Sequence, residues 1–226
     1  MNSLPDVISA PRFATYKQWA SGNEDIALRL YTYNVQLSAA LYGPLHIFEV
    51  SLRNSIDSAL VSKFGISWPD DHAVGLSLYQ IDCIAAARKT LAKENKAGTH
   101  PQLVAELNLG FWTSFLGRQS HHLWQWLRPV FQTRGLQRHQ LAAQLKDVRT
   151  LRNRVAHYEP ILALPLAQRY AEVTTLTGWL SSAAAAWINR HSSWQSIYPA
   201  VPILTTDPTT KITRMDPAVL PYLPPV

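Results

Sequence analysis

Hydrophobic residues recur at helical spacing along most of the chain, while the alternating pattern typical of β-strands is scarce. This spacing predicts a first helix over residues 13–20 and a long helix over Glu24–Phe64. Asn23 is a favourable residue to cap the start of the long helix, and Gly65 is a favourable residue to end it. Proline removes a backbone donor and clashes with the previous turn, so we expect Gly43-Pro44 to kink or break this helix.

Helical spacing continues through the second half of the chain. It predicts helices over residues 77–95, 137–156 and 166–191, and another that Thr99 caps and Pro101 opens. Beyond residue 197, seven prolines leave no room for a helix. We therefore expect this tail to be extended or draped over the domain.

The predicted fold is all-α: a helical bundle with additional peripheral helices and a proline-rich C-terminal tail. The chain has 226 residues and is 47% hydrophobic and 16% charged, which is typical of a packed globular protein rather than a disordered one. We expect it to divide into an N-terminal segment with a short helix (residues 1–22), a helical domain (residues 23–196) and the tail (residues 197–226).

The composition indicates a redox compartment, a cellular location and a class of partner. A single cysteine, Cys83, excludes an internal disulfide, argues against a cysteine-based zinc site and fits a reducing cytosol. The N-terminal sequence lacks the pattern of a signal peptide, and no apolar run approaches the roughly 20 residues that span a bilayer, so we expect a cytoplasmic protein without a membrane partner. The net charge of +6 weakly favours a polyanionic partner such as nucleic acid.

Two predicted helices carry charges on their apolar faces. On the helix over residues 137–156, Arg152 lies about 40° from the centre of the apolar stripe. On the long helix, Glu49 lies within about 20° of the stripe's centre and Arg53 within about 60°. An unpaired buried charge costs several kcal/mol, so we expect Glu49 or Arg53 to approach Arg152. The sequence leaves open whether this is a structural ion pair or a polar patch on a cleft or subunit interface.

His157 follows Arg152 at the predicted end of its helix, because the residue before Pro160 avoids helical geometry. An imidazole titrates near neutral pH, as a general acid or base must, and a guanidinium fork suits phosphate oxygens. With Asn153 as a neutral polar group, these are the parts for phosphodiester chemistry without a metal. Arg152 and His157 diverge by about 140° on one helix. Two copies across a two-fold axis would bring each histidine near the other copy's arginine, and local unwinding would also reunite the two.

The residues around this helix end resemble known signatures. Residues 152–157, RNRVAH, are similar to the R-N-x-x-x-H motif of HEPN ribonucleases, and residues 149–161, RTLRNRVAHYEPI, look like the R-x-L-R-N-R-I-A-H-H-E-P-I signature of the Abi-like (abortive infection) family. Residues 31–56 resemble that family's Y-x-x-N-x-x-L-S and L-E-V-x-L-R-N patterns, and residues 110–117 its G-F-W-x-x-L segment. Together the matches extend over residues 12–190.

The resemblance implies a HEPN-like bundle that dimerises to form a composite cleft and cleaves RNA without metal or cofactor. The 2′-hydroxyl of the RNA is the nucleophile, and a cyclic phosphate remains. By this resemblance His157 is the general acid/base, Arg152 stabilises the phosphorane charge and Asn153 orients the site. Tyr158 stands where the family commonly has a second histidine. The residues expected to support the site or bind RNA are Glu49, Arg53, Asn54, Arg149, Arg154 and Tyr158.

The family also implies a toxin or phage-defence role, with RNA, a second copy of the chain and a cognate inhibitor as partners. Two other functions stay open at this point. One is a HEPN module that binds RNA or a nucleotide without cutting it. The other is an interaction protein in which Glu49 and Arg152 only lock the bundle together.

Overall fold

Helices account for most of the chain, as the hydrophobic spacing predicts. The structure, a computed structural model, describes residues 4–225. The all-α prediction is confirmed. In chain order the α-helices are α1 (Leu4–Ile8), α2 (Ala10–Trp19), α3 (Glu24–Phe64), α4 (Leu78–Lys93), α5 (His100–Glu106), α6 (Leu109–Ser114), α7 (Trp124–Leu127), α8 (Arg138–Ala156), α9 (Leu166–Leu180), α10 (Ser182–His191) and α11 (Trp194–Ile197). Short 3₁₀ helices lie at Trp68–Asp70, His72–Val74, Arg118–Leu123, Arg128–Val130 and Pro217–Tyr222.

Helix α3 begins and ends where its sequence predicts. The Asn23 side chain accepts a hydrogen bond from the backbone N–H of Ile26 at 3.0 Å, and Gly65 follows the last turn with a φ of 83°. Of the two expected outcomes at Gly43-Pro44, the break is wrong, because the helix continues through Pro44, and the kink stays a prediction. Proline costs this helix one backbone hydrogen bond, and the residues around it, Leu41 and Leu45, are buried. We infer that the burial of this turn offsets the lost bond.

The helix predicted over residues 166–191 is interrupted, which corrects the sequence-based expectation. Helix α9 ends at Leu180 and α10 begins at Ser182, with Ser181 between them. The Ser181 side chain accepts a hydrogen bond from the backbone N–H of Ala184 at 3.2 Å, as an N-cap residue does. A serine in a helical pattern therefore starts a new helix here.

The chain divides into two compact units, and α3 and α8 each contribute residues to both of them. The first unit comprises residues 4–44, 151–170 and 191–225. In it α2 packs against strand β2 of the tail. The rings of Tyr170, Trp194 and Tyr198 stack in a row, with centroid distances of 4.9 and 4.5 Å. Such stacked aromatic rings contribute large apolar areas to a core.

The second unit comprises residues 45–150 and 171–190. Its core holds an aromatic cluster of Trp68, Phe111, Trp112 and Phe115, all fully buried. The Phe111 ring lies 4.9 Å from Trp112 and 5.2 Å from Phe115, both edge to face. The aromatic residues of the segment 110–117 therefore pack into the core of this unit.

The tail is more ordered than its prolines predict. Strands β1 (Leu204–Thr206) and β2 (Thr213–Met215) pair antiparallel, and the Pro217–Tyr222 segment forms a 3₁₀ helix, which corrects the expectation of a tail without helix. Arg29 of α3 holds the end of the tail: its guanidinium donates to the backbone oxygens of Leu220, Leu223 and Pro224 at 3.0–3.1 Å. The expectation that the tail drapes over helices is met in this unit. Among the helices of residues 4–225, none is both long enough and apolar enough to cross a bilayer.

Candidate functional site

Five of the predicted site residues lie together in the first unit, at the end of α8. Arg152, Asn153 and Arg154 occupy the last turn and a half of the helix, and His157 and Tyr158 follow it directly. Arg152 is half-buried, whereas Asn153 and His157 are exposed. The helix ends at Ala156, close to where Pro160 predicts. The structure thus presents the imidazole of His157 to solvent at a helix terminus.

The turn after α8 has the hydrogen bonds of a Schellman motif. The backbone N–H of Tyr158 donates to the carbonyl of Val155 at 3.3 Å, and that of Glu159 donates to the carbonyl of Arg154 at 2.9 Å. His157 is the C-cap residue, and its N–H donates to the carbonyl of Asn153 at 2.9 Å. Tyr158 has a φ of 58°, in the left-handed region where glycine is the usual residue. The chain therefore accepts backbone strain at Tyr158.

Asn34 of α3 holds the segment that follows this turn. Its side chain is buried, accepts a hydrogen bond from the backbone N–H of Ile161 at 2.8 Å and donates to the carbonyl of Glu159 at 3.4 Å. Asn34 lies on the same face of α3 as Leu30, Leu37 and Leu41, all buried. A polar residue on such a face signals a specific partner. That signal was readable in the sequence, but the partner was not.

Arg154 braces the same turn from the other side. Its guanidinium donates to the carbonyl of Pro160 at 3.0 Å and lies 3.8 Å from the carboxylate of Glu159. Both contacts are within six residues of Arg154 in the chain. Its expected contact with RNA stays a prediction, and its observed contacts stabilise the backbone next to His157.

A groove with a volume of about 640 Å³ lies beside the turn, still within the first unit. Val155 and Tyr158 line one side of it, and Arg12 of α2 contributes a positive charge. The remaining lining residues lie on α3, six positions at helical spacing: Tyr31, Asn34, Val35, Ser38, Ala39 and Tyr42. The groove carries exposed apolar side chains, with Tyr158 79%, Tyr42 68% and Val35 49% exposed. Apart from Tyr158, the groove residues were not identified from the sequence, although the helical spacing of those on α3 is visible in it.

The other predicted site residues belong to the second unit. Glu49, Arg53 and Arg149 are half-buried there, and Asn54 is exposed. The Arg53 side chain donates to Asn54 Oδ1 at 3.2 Å. Burial raises the pKa of Tyr79, and the charge of Arg149 partly opposes this rise. The predicted pairing of Glu49 or Arg53 with Arg152 stays a prediction, and neither Glu49 nor Arg152 is without a partner.

Asn54 lines a second groove, with a volume of about 720 Å³, inside the second unit. Its walls mix polar and apolar side chains, and three of the polar ones are serines of α3 (Ser55, Ser58 and Ser62). Lys63 Nζ lies 5.2 Å from the centre of the Trp126 ring, and both residues line this groove. Trp126 is half-buried and lies at this groove.

One histidine of the second unit has a polar partner that sequence spacing did not indicate. His100 Nε2 lies 2.9 Å from Asp57 Oδ1, and the same oxygen accepts a hydrogen bond from the Trp68 indole at 2.8 Å. His100 and Asp57 are both largely buried. Within the described residues, no group of three or more histidine, cysteine, aspartate or glutamate side chains is placed to hold a metal ion.

Comparisons with known proteins return no relatives for this chain. No protein-family model, curated protein or solved structure matches it significantly.

Proposed function

We propose that this protein is a metal-independent endoribonuclease of the HEPN type, acting at the end of α8. The observation that carries the proposal is the position of His157, an exposed imidazole at a braced helix terminus beside the groove of the first unit. Arg152 and Asn153 lie in the preceding helical turn, and their types suit a phosphodiester: a forked cation and a neutral amide. The motif they form with His157 is the one that resembles HEPN ribonucleases.

The proposed reaction uses the RNA as its own nucleophile. A histidine accepts the proton of the 2′-hydroxyl, whose oxygen attacks the adjacent phosphorus and forms a pentacovalent phosphorane. Arg152 stabilises the negative charge that builds on the phosphoryl oxygens. The bond from phosphorus to the 5′-oxygen then breaks, and that oxygen takes a proton from a histidine. The products are a 2′,3′-cyclic phosphate and a free 5′-hydroxyl.

We propose a homodimer as the active form. On an ideal helix Arg152 and His157 are about 140° apart, so one helix end would not direct both groups at one phosphate. A two-fold arrangement would supply two histidines, one as base and one as acid, with an arginine from each copy. In a cell this activity fits a toxin or phage-defence effector that a cognate inhibitor holds in check.

The test is to incubate the purified protein with single-stranded RNA in the presence of EDTA and to identify the fragment ends by mass spectrometry. Cyclic phosphate ends are expected, and chelation should leave the rate unchanged. Replacing His157 by alanine should lower the rate by about 10²- to 10⁴-fold, the contribution of a general acid or base. His139→Ala, which alters an exposed histidine near the start of α8, is the matched control. Full activity of His157→Ala, or strict dependence on a divalent ion, would overturn the proposal.

A second candidate is a module that binds RNA or a nucleotide without cutting it. One observation favours it: Tyr158 occupies the position where the resembled family commonly has a second histidine, so a phenol replaces an imidazole that could serve as a general acid or base. This candidate predicts salt-sensitive binding to RNA with no change in fragment ends. The same incubation separates the two functions, because only the ribonuclease yields cyclic phosphates.

A further inference from the structure

We propose that the groove of the first unit, lined by Tyr42 and Tyr158, is a site that binds one unpaired nucleobase. This inference rests on the proposed function, because it names the substrate of the same site. Val155, in the last turn of α8, and Tyr158, just after the helix, both line the groove. His157 lies between them in the sequence. A base seated there would belong to a nucleotide close to the phosphate that His157 acts on.

The rings that line the groove are the first argument. Tyr158 and Tyr42 keep most of their surfaces exposed to water. Covering either ring with a flat apolar partner would be favourable, because it removes apolar surface from water. Tyrosine rings bind unstacked bases in many proteins that contact single-stranded nucleic acid, because every base has a π-face. A base inside a duplex already stacks on its neighbours and cannot enter such a groove.

The backbone at Tyr158 is the second argument. A left-handed φ is costly for a bulky side chain, and glycine would relieve it. Strained residues that persist cluster at ligand sites, where the side chain has a function that the relaxed residue would not serve. Here the strain sets a tyrosine ring at the rim of the groove, directly after the candidate general acid/base.

Charge is the third argument, and it favours RNA over a second copy of the chain as the occupant. Among the described residues that line the groove, Arg12 carries the only charge at neutral pH. The sugar-phosphate chain on either side of a bound base would meet this positive charge, whereas a second copy, with its own Arg12, would bring a like charge to it. The groove thus combines apolar rings with a cation, as sites for single strands do.

The experiment uses the full chain with His157 replaced by alanine, so that the RNA stays intact. The probe is a short single-stranded RNA with one 2-aminopurine, and its fluorescence reports stacking on a ring. We expect quenching on binding, and affinity about tenfold or more weaker when Tyr158 or Tyr42 is replaced by alanine. Tyr158→Phe should restore affinity, Arg12→Ala should reduce the salt dependence by about one counterion, and Tyr222→Ala, at an exposed tyrosine of the same unit, should bind as the parent does.

Three results would overturn the inference. The first is that the tyrosine variants bind the probe as tightly as the parent. The second is that the fully paired duplex binds as well as the single strand. The third is that Tyr158→Ala and Tyr42→Ala dissociate a dimer without changing the quenching. The last result would make the groove a subunit interface. The two proposals fail separately: cyclic ends from the unaltered protein with unaffected tyrosine variants reject only the base site, and quenching without cyclic ends rejects only the ribonuclease.

Discussion

Asn34 and Ile161 lie 127 residues apart in the chain and are joined by a hydrogen bond of 2.8 Å, in which the asparagine side chain accepts from the isoleucine backbone. The same side chain reaches the carbonyl of Glu159. Helix α3, which carries Asn34, therefore fixes the path of the backbone just after His157. This bond connects α3 to the candidate site at the end of α8.

Replacing Asn34 by alanine should lower the free energy of unfolding by about 1–3 kcal/mol, because the buried N–H of Ile161 and the carbonyl of Glu159 lose a partner. Urea unfolding measures this loss, and hydrogen exchange should show faster opening at the Ile161 amide. Asn153→Ala, at an exposed asparagine of the same unit, should change stability by less than about 0.5 kcal/mol. Equal stability of the two variants would show that the Asn34 bonds do not hold this turn.

Glycine at position 158 should raise stability, while alanine should not. Tyr158 has a positive φ, which costs an L-residue about 1–2 kcal/mol and costs glycine little. We therefore expect Tyr158→Gly to be more stable than Tyr158→Ala by about 1 kcal/mol in urea unfolding. An alanine variant as stable as the glycine variant would mean that the turn relaxes without a left-handed residue.

Alkaline pH should destabilise the protein through its buried phenols. Burial raises the pKa of Tyr33, whose hydroxyl donates to the carbonyl of Ile197 at 2.8 Å. In the unfolded chain this phenol ionises near pH 10, so the stability that is present below pH 10 is lost as the pH rises towards the folded value. Tyr33→Phe should cost about 1 kcal/mol at pH 7, where the hydrogen bond counts, and the gap to the parent should narrow above pH 10.

Urea unfolding at pH 7 and above pH 10 measures this change, with Tyr158→Phe, which alters an exposed ring, as the matched variant. A gap for Tyr33→Phe that stays constant or widens at high pH would contradict the prediction. Burial also raises the pKa of Tyr16, so part of the alkaline loss should persist in the Tyr33 variant.

Lysine in place of Arg29 should release the end of the tail. The guanidinium serves three carbonyls at once, and a single ammonium on a flexible stem does not reproduce that planar fork. We expect faster proteolytic cleavage within residues 217–225, with little change in the rest of the chain. Arg190→Lys, at an exposed arginine in the second unit, serves as the control. Unchanged proteolysis would mean that buried Val219 and Leu223 alone hold the tail.

Local signals in the sequence predicted most of the helices and the position of the candidate site. The ends of α3 follow from Asn23 and Gly65, which act within one turn, and the end of α8 follows from Pro160. Predictions failed where burial or a competing cap decides, as at Pro44 inside α3 and at Ser181 between α9 and α10. In these places the deciding contact is not a property of the local pattern.

The hairpin and the supports of the site were beyond prediction for different reasons. Each strand has three residues, too few for an alternating pattern, and the turn between them is held by the Asp207 carboxylate, which accepts from the backbone of Thr209 and Thr210. Asn34 stands out as a polar residue on a buried face, but its partners at 159 and 161 are set by the tertiary fold. The sequence could therefore indicate the candidate catalytic groups but not the residues that position them.

The first unit is assembled from three stretches of chain, and the third stretch is synthesised after the other two. A nascent chain that reaches Arg190 already contains Asn34 and His157, but it lacks Ile197 and the carbonyls that Arg29 binds. At about 5–20 residues per second, the roughly 35 residues of the third stretch take a few seconds to synthesise. If the protein cuts RNA, the unit that carries its cutting centre would gain the contacts of Tyr33 and Arg29 only after the third stretch has been synthesised.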